Sequence, residues 1–456
     1  MKVNPFVFRE YDIRGVVKDD FPSEFINSLG KAFGTYVKRL GAKEISLSGD
    51  VRLTTPKLKK EFKEGVLDTG IDVIDIGILP TPVNYYSMWK LGVGAAVQIT
   101  GSHNPAEMNG FKMSINKSAV YGEQIQKLKT LIEREDFESG TGTEVRYKLI
   151  DEYIEMIQKK IRLERSMNLV IDCGNAAACL AAPQIFDGLG ADVTGLFCDI
   201  DGSFPNHHPD PTVIENISKL ISTMKQGGFE AGIAYDGDAD RLGLVDEKGR
   251  IIFADQIMAL MLPEIVKKDE EILFDIKCSQ GLEEEIVRLG GKPIIWKTGH
   301  SLIKEKMKEL SCKFGGEMSG HIFFADDYFG FDDAIYASAR LIQMLSRQDK
   351  KLSDLVSELP QYYSTPEIRL NCSDDQEKFR INEKAKIYFK ENYDCLDIDG
   401  VRVKFSDGWG LVRASNTQPV IVCRFESKTE ERTKEIQELI LNKIKDFGEV
   451  DVSDVS

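Results

Sequence analysis

The chain has 456 residues, of which 42% are hydrophobic and 29% charged, and its formal net charge is −15 at pH 7. This is the composition of an ordinary soluble globular protein, long enough for three or four domains. The acidic balance argues against a nucleic-acid partner, whose phosphates require a basic footprint, but it allows a small anionic ligand in a cleft where lysine and arginine are concentrated.

Three segments repeat one pattern in chain order: a short apolar run, a small-residue loop, an amphipathic helix, a glycine and a second apolar run. A strand, a crossover helix and a strand in one sheet imply parallel pairing. The repetition predicts three similar α/β domains with mixed, mostly parallel sheets. The first runs begin at residues 44, 169 and 272, and the second runs lie at 71–74, 191–193 and 293–296.

The last part of the chain has a different pattern. Strand-like alternation at residues 401–405 and 420–425 is followed by a helix with apolar side chains on one face. Strands in hairpin-like order followed by a helix predict a small α+β domain. The four predicted domains are 1–146, 147–250, 251–364 and 365–456.

The eight cysteines show no C-x-x-C spacing and lie mostly inside apolar runs. This pattern predicts reduced core residues, and neither a disulfide framework nor a zinc site. Charged side chains interrupt the N-terminal segment 1–15, unlike a signal peptide, and no apolar stretch approaches the ~20 residues that span a bilayer. We therefore expect a cytoplasmic protein with no membrane partner.

Ser102 follows the apolar run 93–99 and precedes His103-Asn104-Pro105. This context places its hydroxyl on a turn at the carboxyl end of a strand, where open α/β sheets present ligands. A turn-capping serine is the simpler explanation of this motif taken alone. Lys112, further along the same loop, adds the cation that a phosphoryl-transfer site requires.

Asp236, Asp238 and Asp240 alternate along a loop between two strand-like runs. Carboxylates at every second position converge only if the backbone wraps around something, and oxygen ligands select Mg²⁺ or Ca²⁺. Glu247 stands where a calcium-binding EF-hand has its last ligand, but Arg241 occupies the place of its glycine and the flanks are strands. A phosphatase with an aspartate nucleophile would be expected to have Thr or Val at position 240. We therefore predict a Mg²⁺ site.

Glu317 and Ser319 lie in a glycine-flanked loop. A carboxylate and a hydroxyl separated by one residue can contact neighbouring hydroxyl groups of a sugar. For this pair taken alone, a solvated loop glutamate is the simpler explanation.

A further loop between two strand-like runs carries Arg413, Ser415, Asn416 and Thr417. A guanidinium fork, hydroxyl groups and consecutive backbone amides form an anion-binding nest, although a polar hairpin turn also explains this segment taken alone. The loops together provide a nucleophilic hydroxyl, a metal cage, a sugar-hydroxyl contact and a phosphate anchor. We interpret them as one composite phosphoryl-transfer site.

In this order the loops resemble those of the α-D-phosphohexomutase superfamily, and the resemblance runs nearly end to end from Phe-Arg-Glu-Tyr-Asp-Ile-Arg-Gly at 8–15. Arg-Ala-Ser-Asn-Thr at 413–417 and Met318 resemble the residues of the bacterial phosphomannomutase/phosphoglucomutase group. Phosphoglucosamine mutases usually have a Ser-Gly-Thr version of the first segment and Gln in place of Met318. Thr-Gly-His-Ser-Leu-Ile-Lys at 298–304 also resembles the hexose-mutase group. At 48–52 the chain has Ser-Gly-Asp-Val-Arg, which lacks the first arginine of the family's Gly-Arg-Asp-x-Arg.

The resemblance implies three similar α/β domains and a C-terminal helix-grip domain around a central cleft. It also implies a mutase that interconverts hexose 1-phosphate and hexose 6-phosphate, of mannose, glucose or both, through a phosphoserine enzyme and a hexose 1,6-bisphosphate. Phosphoglucosamine mutase is the alternative. A non-catalytic sugar-phosphate sensor would need neither the serine nor the three carboxylates, and a metal-dependent phosphatase would not need an anchor loop.

The resemblance assigns the phosphate to Ser102, which with Asp236, Asp238 and Asp240 would complete the shell of one Mg²⁺ per chain. The expected partner is a phosphosugar, with hexose 1,6-bisphosphate as activator and intermediate, and the expected state is a monomer, with a dimer as the alternative. The other implied catalytic residues are Arg241 for charge neutralisation, Lys112 and His321 for proton transfer, and Arg14 and His300 for positioning substrate. The implied substrate-binding residues are Tyr11, Lys277, Glu317, Ser319, Arg413, Ser415, Asn416 and Thr417.

Overall fold

The computed structural model of the chain describes residues 4–415 and 419–450, and its strands form four sheets. The elements of the first unit, after a 3-10 turn at Pro5–Val7, are β1 (Ile13–Val16), α1 (Val17–Asp20), α2 (Ser23–Arg39), β2 (Glu44–Gly49), α3 (Thr55–Leu67), β3 (Asp72–Ile78), α4 (Thr81–Lys90), β4 (Ala95–Ile99), β5 (Met108–Ile115), β6 (Ser118–Ala119), α5 (Glu123–Arg134) and β7 (Glu144–Arg146). The strand order is β1-β5-β4-β2-β3-β7, with β6 on β5. β2 pairs in parallel with β3 and β4, whereas β5 returns antiparallel to β4. The Ser102 loop is the connection between β4 and β5.

The sheet of the second unit has the strand order β12 (Ile251–Ile252), β11 (Leu242–Asp246), β10 (Ala231–Tyr235), β8 (Asn168–Asp172) and β9 (Asp192–Leu196). Its strands β8, β9 and β10 are parallel, and β11 returns antiparallel to β10. The aspartate loop is therefore a tight connection between two buried, antiparallel strands. The helices of this unit are α6 (Ile150–Lys160), α7 (Ala182–Gly188) and α8 (Ser218–Met224), with a 3-10 turn at Ala177–Leu180.

The third unit repeats the parallel pattern, with β13 between β14 and β15 and with β16 antiparallel at the edge. The predicted α/β build of the first three units is confirmed. The elements are α9 (Ala254–Ile265), β13 (Glu271–Asp275), α10 (Gln280–Arg288), β14 (Lys292–Trp296), α11 (His300–Leu310), β15 (Phe314–Gly316), β16 (Ile322–Phe324), α12 (Ala334–Ser346) and α13 (Leu352–Glu358).

The fourth unit is an antiparallel sheet in the order β17-β22-β21-β20-β19, with β18 also on β22. The predicted α+β build is confirmed, but the sequence analysis missed the long helix α14, because its few buried apolar side chains lie in a densely charged segment. The elements are β17 (Tyr363–Ser364), β18 (Ile368–Asn371), α14 (Asp375–Asn392), β19 (Cys395–Leu396), β20 (Val401–Phe405), β21 (Gly408–Ala414), β22 (Val420–Ser427) and α15 (Glu430–Lys445).

The predicted domain boundaries stay predictions. β12 lies just beyond residue 250 and belongs to the second sheet, and β17 lies just before residue 365 and belongs to the fourth sheet. The second and third units share one continuous apolar core, whereas the first and fourth have separate main cores. All eight cysteines are free. Within 4–415 and 419–450, no helix has the length and hydropathy needed to cross a membrane.

Polar contacts of two arginines hold the fourth unit against the third. Arg402 donates from its guanidinium to the carbonyl oxygens of Ile276 and Cys278, at 2.9 and 3.0 Å, and Arg424 donates to that of Lys277. The Arg402 guanidinium also lies 3.9 Å from the centre of the Trp409 ring. Two arginines of the C-terminal unit therefore hold the loop after β13, which carries Lys277.

Close backbone contact between α2 and α3 is a feature of the first unit that substitution can test. A Cβ atom on Gly30 would lie 2.1 Å from the carbonyl oxygen of Phe62. We expect Gly30→Ala to cost about 1–3 kcal/mol through overpacking, which corresponds to a melting temperature roughly 3–10 °C lower in a thermal scan. The matched control is Glu24→Ala on the exposed side of the same helix, which should stay within about 0.5 kcal/mol of the parent. Equal melting temperatures for the two variants would contradict this packing.

Candidate active site

Ser102 lies at the carboxyl end of β4, as the sequence predicts, in a left-handed backbone conformation with φ of 48°. Its hydroxyl oxygen lies 2.8 Å from Oδ2 of Asp236, to which it donates, and 3.2 Å from Nδ1 of His103. Its backbone N–H donates to Oγ1 of Thr100 at 2.8 Å. Only 2% of Ser102 is exposed. The hydroxyl is thus held in a strained turn and faces the aspartate loop.

The aspartate loop wraps around its own first carboxylate. Oδ1 of Asp236 accepts hydrogen bonds of 3.1 Å from the backbone N–H groups of Asp240 and Arg241. The side chains of Asp236, Asp238 and Asp240 are fully buried and each offers one oxygen within 4.8 Å of the others. Among the described residues, Oδ1 of Asp238 and Oδ1 of Asp240 have no hydrogen-bond partner. This oxygen donor set fits a hard divalent cation.

The structure disagrees with an EF-hand. The carboxylate of Glu247 accepts hydrogen bonds from the hydroxyl and the backbone N–H of Ser353, at 2.5 and 3.1 Å. It is therefore engaged beyond β11 and is not a member of the carboxylate group. The flanking elements are strands, whereas an EF-hand loop joins two helices.

A glycine allows the aspartate loop to touch the Ser102 loop. A Cβ atom on Gly237 would lie 2.2 Å from the carbonyl oxygen of Ser102. The first unit adds a second contact, because Thr81 donates from its backbone N–H to the carbonyl oxygen of Asp238 at 2.9 Å and from its hydroxyl to Oδ2 of Asp238 at 2.5 Å. Two loops far apart in sequence therefore form one surface.

Lys112 lies on β5 and not in the Ser102 loop, where the sequence analysis placed it, and it links the first unit to the aspartates of the second. Its Nζ lies 2.7 Å from Oδ2 of Asp238 and 2.5 Å from Oδ2 of Asp240. Burial lowers the pKa of Lys112, but the carboxylates of Asp238, Asp240 and Asp236 outweigh it, so the net pKa is raised. Burial and the two neighbouring carboxylates raise the pKa of Asp236. A protonated lysine thus compensates part of the buried negative charge.

Two predicted histidines meet at an aspartate that the sequence analysis missed. Nδ1 of His321 lies 3.0 Å and Nδ1 of His300 3.5 Å from Oδ2 of Asp332, and the two rings stack at 5.3 Å. Lys304 lies 2.7 Å from the other oxygen of Asp332. In the sequence, Asp332 is hidden beside Asp333, which caps α12. Burial and the charge of Lys304 lower the pKa of His300.

Arg241 extends from the aspartate loop toward the third unit. Its Nε–H donates to Nε2 of His321 at 3.1 Å. Because an arginine can only donate, His321 accepts at Nε2 and its neutral form carries the proton on Nδ1, which faces Asp332. Burial lowers the pKa of Arg241, but the carboxylates around it, led by Asp210, raise it overall.

Arg52 and Asp50 were also missed as functional residues. Arg52 lies beneath the Ser102 loop and donates hydrogen bonds of 2.6 Å to the carbonyl oxygens of Ser102 and Asn104. Both residues belong to the stretch 48–52 that departs from the family pattern. At Gly49, where that pattern has arginine, a Cβ atom would lie 2.3 Å from Cγ2 of Thr55. The loop is therefore supported without that missing arginine.

Glu317 converges with Tyr11 on the turn before α11. Glu317 is 2% exposed and accepts a 2.5 Å hydrogen bond from the backbone N–H of Gly299. The Tyr11 hydroxyl donates to the carbonyl oxygen of Thr298 at 2.9 Å, and a Cβ atom on Gly299 would lie 2.6 Å from the Tyr11 ring. Burial raises the pKa of the Glu317 carboxyl. Ser319 lies half-buried in the same loop.

The two other predicted cations have acidic partners. Arg14 lies 2.6 Å from Oδ2 of Asp12. The side-chain amide of Asn104, oriented with its oxygen toward Arg14, accepts from it at 2.6 and 3.1 Å. Lys277 lies 3.3 Å from Oε2 of Glu367. Burial raises the pKa of Glu367, but Lys277 and a neighbouring arginine outweigh it and lower it to about 2.

The predicted phosphate anchor lies at the end of β21. Nε of Arg413 lies 3.2 Å from Oδ2 of Asp399, which also accepts a 3.1 Å hydrogen bond from the backbone N–H of Thr298. Ser415 donates from its backbone N–H to the carbonyl oxygen of Val420 at 3.0 Å. The anchor is thus connected to the turn that Tyr11 and Glu317 contact. The predicted anchor residues Asn416 and Thr417 lie outside the described residues.

Four family models match successive parts of the chain. They describe the phosphoglucomutase/phosphomannomutase alpha/beta/alpha domain I at residues 5–139, domain II at 151–249, domain III at 253–363 and the C-terminal domain at 367–443. The order and positions of these matches follow the four sheets of the structure.

Individual relatives match along almost their whole length. A phosphomannomutase/phosphoglucomutase of Pseudomonas aeruginosa is 42% identical over 443 residues, which are 96% of this chain and 95% of the relative. A phosphoglucomutase of Neisseria meningitidis serogroup B is 42% identical over 437 residues, with coverage of 94% and 95%. The crystal structure of a phosphoglucomutase/phosphomannomutase family protein from Burkholderia thailandensis superposes with a TM-score of 0.92 at 38% identity, covering 98% of this chain and 100% of that one. The chain belongs to the phosphoglucomutase/phosphomannomutase family.

Proposed function

We propose that this protein is a hexose phosphate mutase, an isomerase that interconverts hexose 1-phosphate and hexose 6-phosphate of glucose and mannose. The observation that carries the proposal is the buried contact between the hydroxyl of Ser102 and the carboxylate of Asp236, 2.8 Å apart, beside a lysine that pairs with the other two aspartates. A serine nucleophile, an acidic metal site and a cation are the parts of a phosphoryl-transfer site. The names of its relatives favour glucose and mannose over the glucosamine alternative.

Ser102 is the residue that carries the phosphoryl group in this proposal. A sugar hydroxyl attacks the phosphorus, the bond from phosphorus to Oγ of Ser102 breaks, and a hexose 1,6-bisphosphate results. The bisphosphate turns over and returns its other phosphate to the serine. The burial of Ser102 supports transfer over hydrolysis, because water has little access to the reacting atoms.

Asp236, Asp238 and Asp240, together with the phosphate on Ser102, would hold one Mg²⁺. When bound, the ion would neutralise negative charge on the transferring phosphoryl group. The unpartnered oxygens of Asp238 and Asp240 support this assignment, since buried carboxylate oxygens without partners are costly. Arg241 adds a fixed positive charge to the same loop.

Lys112 and His321 are the residues proposed to move the proton of the attacking hydroxyl. The raised pKa of Lys112 keeps its ammonium group protonated, so it can donate a hydrogen bond to that oxygen and act as a fixed cation, but it holds its own proton tightly. The tautomer of His321 leaves Nε2 as its basic nitrogen, and this atom now accepts from Arg241. A substrate hydroxyl that takes the place of Arg241 at this nitrogen would therefore meet a base.

The sugar and its non-reacting phosphate are assigned to the third and fourth units. Glu317 and Ser319 would contact the 3- and 4-hydroxyls, and Arg413 and Ser415 would bind the phosphate. Arg14, His300, Tyr11, Lys277, Asn416 and Thr417 complete the proposed positioning and binding residues. The bisphosphate as activator, the monomeric state and the cytoplasmic location stay predictions.

The first test of this function is the phosphate on Ser102. The intact mass of the purified protein should show a partial phosphate-sized increment that maps to the peptide containing Ser102 and disappears with phosphatase. Ser102→Ala should remove the increment and lower turnover of glucose 1-phosphate by at least ~10⁴-fold, as loss of a nucleophile does. Ser46→Ala, a buried serine on β2 that contacts Ser87, is the matched control. Full turnover by Ser102→Ala would refute the proposal.

The second test concerns the metal. Chelator should abolish activity and Mg²⁺ should restore it, because the three carboxylates need a cation to hold the phosphoryl group. Asp238→Asn should raise the Mg²⁺ concentration for half-maximal activity at least ~10-fold. Asp246→Asn is the control, since this buried aspartate beyond the loop pairs with Arg250 instead. Undiminished turnover in excess chelator would exclude a metal role.

The third test is sugar specificity. Glucose and mannose differ only at carbon 2, which Glu317 and Ser319 are not expected to contact, so kcat/KM for the two 1-phosphates should differ by no more than ~10–200-fold. The N-acetylglucosamine analogue should be poor because of its bulky carbon-2 group. Glu317→Gln should lower kcat/KM for both hexoses by the same factor, since it contacts hydroxyls they share. A preference beyond ~10⁴ between glucose and mannose would reveal a carbon-2 contact.

A further inference from the structure

The guanidinium of Arg52 binds the Ser102 loop almost exclusively through backbone carbonyl groups. Besides the carbonyl oxygens of Ser102 and Asn104, each at 2.6 Å, it donates to those of Pro105 at 2.6 Å and Met108 at 3.0 Å. One side chain thus contacts the whole turn between β4 and β5. The negative ends of these peptide groups are directed onto the arginine and so cannot face a phosphate dianion on the serine.

Asp50 holds both the arginine and the start of the loop. Its Oδ2 accepts from Nε of Arg52 at 3.1 Å, from the hydroxyl of Thr100 at 2.8 Å and from the backbone N–H of Gly101 at 3.1 Å. Its Oδ1 accepts from the hydroxyl of Thr55 at 2.7 Å and from the backbone N–H of Arg52 at 3.0 Å. The carboxylate therefore holds the N-terminal side of the turn while the guanidinium holds its carbonyl groups.

The pair is sealed from water. Arg52 and Asp50 are each 1% exposed, and the ring of Phe204, from the second unit, lies 5.2 Å from the guanidinium carbon. A Cβ atom on Gly101 would lie 2.5 Å from that carbon. A buried ion pair contributes little net stability compared with apolar residues of similar volume. Its presence here is better explained by the position it imposes on the loop.

The reaction makes that position critical. Ser102 has a left-handed backbone conformation that its neighbours must maintain. Reacting groups have to be held within about 0.5 Å of the productive geometry, and a 1 Å misplacement can cost about 10²-fold in rate. A planar fork with fixed donor directions suits this task, whereas the point charge of a lysine does not.

We propose that Arg52, held by Asp50, is the positioning residue that sets the Ser102 loop for phosphoryl transfer. The proposal rests on the proposed mutase function and adds a residue that touches neither substrate nor metal. Arg52 positions Ser102 both when the serine gives up its phosphoryl group and when it accepts one. It does not contribute to sugar binding. Its loss therefore lowers kcat and leaves KM for the sugar phosphate nearly unchanged.

The experiment compares the wild type with Arg52→Lys and Arg52→Met for turnover of glucose 1-phosphate, melting temperature and phosphate on Ser102 measured by intact mass. Arg52→Lys keeps the charge but loses the fork, and we expect kcat to fall ~10–100-fold with KM within ~3-fold. Arg52→Met should lose at least as much. The control is Arg340→Lys, at a buried arginine on α12 that pairs with Asp326, and it should keep wild-type kcat.

A chemical rescue separates positioning from general stability. In Arg52→Ala, millimolar guanidinium ion should raise kcat severalfold by occupying the vacated site, whereas the same concentration of sodium ion should not. Wild-type kcat in both Arg52→Lys and Arg52→Met would overturn the proposal. So would a drop in kcat that follows the melting temperature and does not respond to guanidinium. Absence of turnover and of phosphate in the wild type would instead refute the mutase function itself.

Discussion

The structure depends on the compensation of three buried aspartates in one loop. Carboxylates this close repel one another, and burial adds to the cost of their charge. Part of the compensation comes from Lys112, which lies on a strand of a different sheet, and part from Arg241 in the loop itself. The first and second units are therefore tied together at the point where the chemistry is proposed. Oδ1 of Asp238 and Oδ1 of Asp240 keep no hydrogen-bond partner among the described residues, so the same charge imbalance explains the docking of the units and supports the proposed metal site.

Two glycines allow the close contacts between loops that complete this arrangement. Gly237 lets the aspartate loop approach the carbonyl oxygen of Ser102, and Gly101 lets the Ser102 turn lie on Arg52. The second and third units are joined by a shared apolar core. The fourth unit has its own core and is held through arginine-to-carbonyl contacts and the link from Arg413 through Asp399 to Thr298. Such polar contacts between units are compatible with rotation of the C-terminal unit.

Much of the fold followed from periodicity. The repeated strand–helix–strand pattern predicted parallel pairing, because parallel neighbours need a crossover, and the strand pairing in the three sheets confirms it. The four family models agree with the prediction of four units. Helix α14 was missed because charged residues dominate it and only a few apolar side chains mark its buried side. Asp332 and Arg52 were missed for another reason. Each acts through partners distant in sequence, and Asp332 is adjacent to an aspartate whose capping role explains the local pattern.

The sequence alone establishes which chemical groups the chain carries and in which loops they lie. A serine at a strand end, alternating aspartates between strands and a glycine-flanked glutamate are local patterns, and local geometry is enough to interpret them. Which of these groups meet, and which residues hold them in place, follows from the packing of the units. It placed Lys112 between two aspartates, His321 between Arg241 and Asp332, and the Ser102 loop on Arg52. These pairings depend on how separate sheets pack, which is a matter of non-local contacts that no run of neighbouring residues encodes.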